Sequence, residues 1–321
     1  MKFYIVCLLF IVAITIVSYY SSSVSVLNTV DKDSLSFTWI APDINQLPYT
    51  PEADLIRYGK ELIENTSKYL GPKGIVMAIS NGMNCQNCHL DAGTRFNGNN
   101  FAAVASTYPR YRDRSGRIES IEYRINECMQ RSLNGEKIDS LAKEMRAMVA
   151  YLKWLGKDVP KGVTPDGAAI KKIAFMYRAA DTVRGRSVYS STCQRCHGDH
   201  GQGSIMPDSS GYFYPPLWGS HSYNVSAGIY RISQFAGYVK NNMPFTPVHS
   251  DPQLTDEEAW DVAAFINSQQ RPEKFFSYDW SNISKKPVDY PFGPFADGFN
   301  AIQHKYGPFD VIAKSKQKIS K

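Results

Sequence analysis

The stretch Cys85-Gln86-Asn87-Cys88-His89 decides the fold, because the chain repeats it as Cys193-Gln194-Arg195-Cys196-His197. Both are C-x-x-C-H. This spacing offers two thiols to the two vinyl groups of haem and sets the following histidine under the iron. Two other readings of paired cysteines compete. A thioredoxin-like redox pair belongs beside βαβ patterning, which the chain lacks, and a four-cysteine zinc site needs no histidine after each pair. The expectation is two covalently bound haem c groups, attached at Cys85, Cys88, Cys193 and Cys196, with His89 and His197 as proximal iron ligands.

The surroundings of the motif repeat as well. Thr50-Pro51 opens a predicted helix carrying Leu55, Ile56, Tyr58, Leu62 and Ile63, with proline at its first position. It contains Arg57-Tyr58-Gly59-Lys60, and Val183-Arg184-Gly185-Arg186 precedes the second motif. Glycine inside a helix costs stability, so its presence in both copies predicts the close approach of another helix. Closing helices are predicted from Met145 to Leu155, ended by Gly156, and from Thr255 to Ser268, opened by the capping box Thr255-Asp256-Glu257-Glu258. They share Val149-Ala150-Tyr151 and Val262-Ala263-Ala264-Phe265. The class is all-α, with two cytochrome c-type haem domains in tandem.

The boundaries follow from composition. Residues 1–23 form a leader and 24–49 an N-terminal extension. The first haem domain spans 50–157, and a linker of 158–182 is rich in Pro and Gly as far as Pro165. The second haem domain spans 183–270. The extension 271–321 carries Phe275, Phe276, Tyr278, Trp280, Tyr290, Phe292, Phe295 and Phe299, and reads as irregular chain packed across the domains.

At 43% hydrophobic and 21% charged, the 321 residues are those of a globular protein. The net charge of +6 is spread along the chain without a dense basic patch, which excludes nucleic acid as a partner and suits small anions or an acidic redox partner. After Lys2 the run Phe3 to Val17 is almost wholly apolar, and the next charge is Asp31. This predicts export to the periplasm, with cleavage in Ser18–Ser23 and retention as an N-terminal anchor both open. Of six cysteines, Cys7 lies in the leader and four belong to the haem motifs. Cys128 is left over.

The sixth position of the second iron has Met243 as its leading candidate, followed by Pro244 and the closing helix, with His200, His221 and His249 as rivals. Met206 stands too near the proximal histidine to reach round the ring. Between His89 and the first closing helix the one methionine is Met129, beside Cys128. From Arg117 to Leu133, Ile118, Ile121, Ile125 and Met129 fall at helical spacing, and Arg124, Cys128 and Ser132 share another face. A guanidinium one turn from a thiol favours the thiolate and can fork onto an oxyanion. A small buried hydrophobe is the other reading of Cys128.

These residues carry a resemblance. Tyr111-Arg112-Asp113-Arg114-Ser115-Gly116, Ile121 to Cys128, Arg131-Ser132-Leu133-Asn134-Gly135, Lys240-Asn241-Asn242-Met243-Pro244 and the tail from Asp297 through Gln303-His304-Lys305-Tyr306-Gly307-Pro308-Phe309 closely resemble the dihaem thiosulfate dehydrogenase/tetrathionate reductase family. The resemblance implies that Cys128 is the distal ligand of the first haem, and that Arg114, Arg124 and Ser132 line a substrate anion site. It implies His197/Met243 ligation of the second haem and places Lys240 near the active site. Some members carry a lysine where this chain has Asn242. The implied reaction joins two thiosulfates into tetrathionate with release of two electrons, or reverses this, with a soluble or membrane-bound cytochrome c as electron partner. Two rivals stand against it: a dihaem electron carrier without its own chemistry, and a carrier-type sulfur-oxidation cytochrome.

Overall fold

Helix α1 (Pro51–Glu64) starts where the sequence places it, with Thr50 Oγ1 accepting the Ala53 N–H at 3.3 Å and Pro51 in the first turn. Its Leu62 and Ile63 are buried in the first core beside Met145, Met148 and Leu152. The computed structural model describes residues 37–245 and 252–319, so the leader, Cys7 and His249 lie outside the described residues. After the first haem motif, β1 (Arg110–Arg112) and β2 (Arg117–Glu119) pair as an antiparallel ribbon, with Arg110 opposite Glu119.

Helix α2 (Ile121–Arg131) follows, capped by Ser120 Oγ, which accepts the Tyr123 N–H at 3.2 Å. The helical spacing had been read from Arg117, and the structure corrects this. Residues 117–119 are spent on the ribbon, and Ile118 points out, 71% exposed, while Ile121 and Met129 are buried. The turn is closed by Gly116 at φ +64°, and it commits the chain to a hairpin before the cap at Ser120. Helix α3 (Lys143–Leu155) ends at Gly156 as expected.

The second domain repeats the plan. Helix α4 (Thr182–Val188) is capped by Asp181, whose carboxylate accepts from Val183 N and Arg184 N at 2.8 and 3.1 Å. A small ribbon of β3 (Ser204–Ile205) and β4 (Tyr212–Tyr214) follows the motif. Then come α5 (Ile232–Asn242) and α6 (Asp256–Ser268), the latter opened by the reciprocal bonds of Thr255 and Glu258. Tyr189, Phe235, Val239, Trp260 and Ile266 fill the core.

Both helix-interior glycines do what the repeat predicts. A Cβ on Gly59 would collide with the Ala147 carbonyl of α3 and stand 2.8 Å from Tyr151 Cβ. A Cβ on Gly185 would collide with the Asp261 carbonyl of α6 and stand 2.9 Å from Phe265 Cβ. Each domain thus locks its first helix into its last by backbone contact.

From Trp39 onward the chain is one compact unit. The linker runs without helix over the first domain, where Ser106 Oγ donates to Val163 O at 2.6 Å, and into the second, where Trp260 Nε1 donates to Ala174 O at 3.0 Å. The C-terminal extension is irregular through Phe299 and then forms α7 (Ala301–Tyr306) and α8 (Phe309–Ile319), the latter adding Phe309 and Ile312 to the second core. Two short ribbons aside, the architecture is all-α.

Candidate active site

The first motif is a single tight turn. Cys88 N and His89 N both donate to Cys85 O, at 3.1 and 3.0 Å, so the two thiols and the imidazole leave one face of one loop. Buried Thr66 accepts from Cys85 N at 3.0 Å, and Asn84 Oδ1 accepts from Ser67 N at 2.8 Å, fixing that loop to the short helix Thr66–Leu70 that follows α1. His89 Nδ1 donates to Asn99 O at 2.6 Å, and the ring stacks on Phe101 at 4.3 Å. Nε2 is therefore the free nitrogen, as an axial iron ligand requires. Burial pulls the imidazole down to about 4, against the Asn99 bond and with help from the Arg124 charge, so it is neutral at physiological pH.

In the second motif His197 Nδ1 donates to Pro215 O at 2.9 Å, leaving Nε2 available in the same way. Burial pushes the Cys85 thiol up to about 11, Cys88 to about 12 and Cys193 to about 11. Neutral thiols suit thioether attachment better than a thiolate metal site. Among the described residues, no group of three or more His, Cys, Asp and Glu comes together that could complete a zinc site. Both motifs fit covalent haem.

Opposite the first motif stands α2. The charge of Cys128 raises both Cys85 and Cys88, which brings its sulfur to the haem-attachment thiols. Arg124 is held strongly protonated, first by Cys128 and against its own burial. Arg114 is pulled down to about 10 by burial and by the charges of Arg131 and Arg124. Its Nη1 donates to Ser226 O at 3.3 Å, and its guanidinium lies 5.6 Å over the Trp280 ring. Ser132 caps α2 and donates its N–H to Cys128 O at 2.8 Å. The structure thus brings Arg114, Arg124 and Cys128 together along α2, with Ser132 one turn beyond Cys128 at the helix's C-terminal cap.

Arg112 was missed. Burial and the Arg124 charge lower it, so it belongs to the same cation cluster. Its signal was the alternation Arg110-Tyr111-Arg112 on a strand, hidden by the irregular turn that follows. Arg131, also in the motif, is a different kind of residue. It is 1% exposed and sewn to Glu127 at 2.8 Å and to Asp279 at 2.6 and 2.7 Å, with Tyr278 OH donating to Glu127 at 2.9 Å. It holds the extension against α2 and leaves the anion-facing charge to its neighbours.

Lys240 stands at the junction of α5 and α6. Its ammonium donates to Leu254 O and pairs with Asp256 at 3.2 Å, so it fastens α5 to the start of α6 and is not gathered with Cys128 and the arginines. Met129 is 1% exposed and packs in the first core. Met243 ends α5 and borders the same second core as Cys193, whereas His200 and His221 are exposed. Asn242 donates to Asn97 O and Tyr238 O, at 3.1 and 3.0 Å.

Fold and site together define a dihaem c-type cytochrome. A SoxA/TsdA cytochrome c domain matches residues 77–160, and a cytochrome c domain matches 182–270. The thiosulfate dehydrogenase of Stutzerimonas stutzeri is 34% identical over 72% of each chain, and that of Allochromatium vinosum 36% identical over 69% of this chain and 83% of its own. The solved thiosulfate dehydrogenase (TsdBA) of Marichromatium purpuratum, in its as-isolated form, superposes with a TM-score of 0.69 at 29% identity. That match covers 80% of this chain and 54% of the solved one, so the chain spans about half of that longer protein. The chain belongs to the thiosulfate dehydrogenase family and carries two covalently bound haem c groups.

Proposed function

We propose that the chain is a thiosulfate dehydrogenase/tetrathionate reductase, an oxidoreductase that interconverts two thiosulfates with tetrathionate and two electrons. The observation that carries the reading is the pairing of Arg124 with Cys128, facing Cys85 and Cys88. His89 and Cys128 hold the first iron in this reading, and His197 and Met243 the second; the haems, when bound, accept and pass on the electrons.

Two thiosulfate dianions repel each other, so a cationic pocket must hold them together. Arg114 and Arg124 supply the charge, and Ser132 a hydroxyl. Once free of the iron it would hold, the Cys128 thiolate bonds to the outer sulfur of one thiosulfate and gives a cysteinyl thiosulfonate, the two electrons lost passing to the haems when bound. The outer sulfur of a second thiosulfate then attacks that sulfur, releasing tetrathionate and restoring the thiolate, so atoms and charge balance. Each step runs backwards in the reductive direction.

The domain boundaries read from the sequence, 50–157 and 183–270, are kept as part of this proposal. So are export to the periplasm and a soluble or membrane-bound cytochrome c as electron partner. No helix among the described residues is long and apolar enough to cross a membrane. The test is an assay of the purified holoprotein alone, in both directions, with a ferricyanide-type acceptor and a viologen donor. Tetrathionate formation or consumption without any partner protein is expected. Mediated reduction of the haems with no sulfur turnover in either direction would reduce the chain to an electron carrier.

A further inference from the structure

Trp280, in the C-terminal extension, holds φ at +61°, the left-handed region that a bulky side chain enters only under constraint. The constraint is visible along its segment. Lys274 Nζ donates to Gly135 O at 2.8 Å, and Tyr278 OH donates to Glu127 at 2.9 Å. Asp279 accepts from Arg131 at 2.6 and 2.7 Å, and Trp280 N donates to Arg114 O at 2.6 Å. Chain pinned at so many points over α2 and the ribbon turn keeps a conformation it would otherwise leave.

The strained turn lays the indole against one guanidinium. Arg114 sits 5.6 Å over the Trp280 ring, and Trp280 is itself buried, with Tyr290 meeting it edge-on at 5.7 Å. One residue therefore holds both the main chain and the charged tip of Arg114. The other tether on that side chain is Ser226 O, a long bond at 3.3 Å. The neighbouring Arg131 is held differently. Glu127 and Asp279 neutralise it at 2.8 and 2.6 Å, whereas the contacts of Arg114 are a carbonyl and a ring. A ring face steadies a guanidinium without cancelling its charge or consuming an N–H, so the rest of the fork is left for an anion.

We propose that Trp280 is a positioning residue of the thiosulfate site, its indole face holding the Arg114 guanidinium uncommitted and turned to the anion. The C-terminal extension is on this account part of the active site and not only a cover over it. The inference rests on the proposed sulfur chemistry and adds to it a residue from far along the chain.

Steady-state kinetics of the holoprotein with thiosulfate and a ferricyanide-type acceptor test it, in the parent protein and in an Arg114→Gln background. Trp280→Leu raises KM about tenfold, the size of a desolvated cation–π contact. It leaves kcat within about twofold, because an anion clamp acts on ground and transition states alike. Trp280→Phe, which keeps a ring face, raises KM only about twofold. In the Arg114→Gln background neither change raises KM further, since the contact is already gone. A parent protein that makes no tetrathionate overturns the sulfur chemistry and this proposal together. With an active parent, a KM rise of equal size in both backgrounds overturns the role of Trp280 alone, as does a fall in kcat at unchanged KM. Should Trp280→Leu fail to load both haems, Trp280→Phe decides: a KM equal to that of the parent protein overturns the proposal.

Discussion

The two haem domains share a frame and differ in what faces the iron. Each begins with a capped helix, crosses its closing helix at a glycine, and presents a histidine whose Nδ1 donates to a backbone carbonyl. In the second domain Met243, the proposed ligand, borders an apolar core. In the first the corresponding place is taken by Cys128, Arg124, Arg114 and Arg112, and partly by distant chain, with Ser226 accepting from Arg114 and Asp279 from Arg131. In the proposed function one repeat holds an electron and the other an anion. The difference comes from side chains on α2 and from the extension that closes over them.

The comparison breaks most sharply at Cys128. Cys128→Gly should retain two haems by mass, at a cost of about 1 kcal/mol for glycine in a helix, while turnover with thiosulfate or tetrathionate falls to background. Mediated electron transfer through the second haem should persist, because Cys128 belongs to the other domain. Arg124→Gln removes a charge-assisted contact of about 1.5–3 kcal/mol, so kcat/KM should fall about ten- to a hundredfold with both haems in place.

The shared part of the frame is tested by the glycines. Gly59→Ala and Gly185→Ala each force a methyl into a backbone carbonyl, and overpacking of this kind costs about 1–3 kcal/mol. Denaturant melts should show both variants weakened alike, which a frame present in only one domain would not produce. Met243→Gly is the mirror of the cysteine change. It should abolish the weak near-infrared sulfur–iron band and lower the second haem's potential, leaving thiosulfate affinity at the first site within about twofold, since Met243 belongs to the second core.

What was legible in the sequence was local. The motifs, the caps at Thr50 and Thr255, the stop at Gly156 and the contact glycines are written within a few residues of where they act. Arg124, Cys128 and Ser132 could be grouped because one helix spaces them. The rest depends on partners far along the chain. Arg131 meets Asp279 across 148 residues, and nothing near Arg131 distinguishes a buried strut from a substrate-binding arginine. Ile118 fits helical spacing, yet the turn at Gly116 assigns it to a strand and to solvent. Lys240 stands three residues before Met243, yet Leu254 and Asp256 claim its ammonium.

The central claim is that Cys128 is the sulfur nucleophile of a cationic pocket. Rapid-quench mass spectrometry of the Cys128 peptide during turnover with tetrathionate tests it most directly. The account predicts a thiosulfonate adduct on Cys128 that forms at least as fast as the enzyme turns over and disappears when thiosulfate is added. Full-rate turnover with Cys128 unmodified, or an adduct that accumulates more slowly than product, would contradict it.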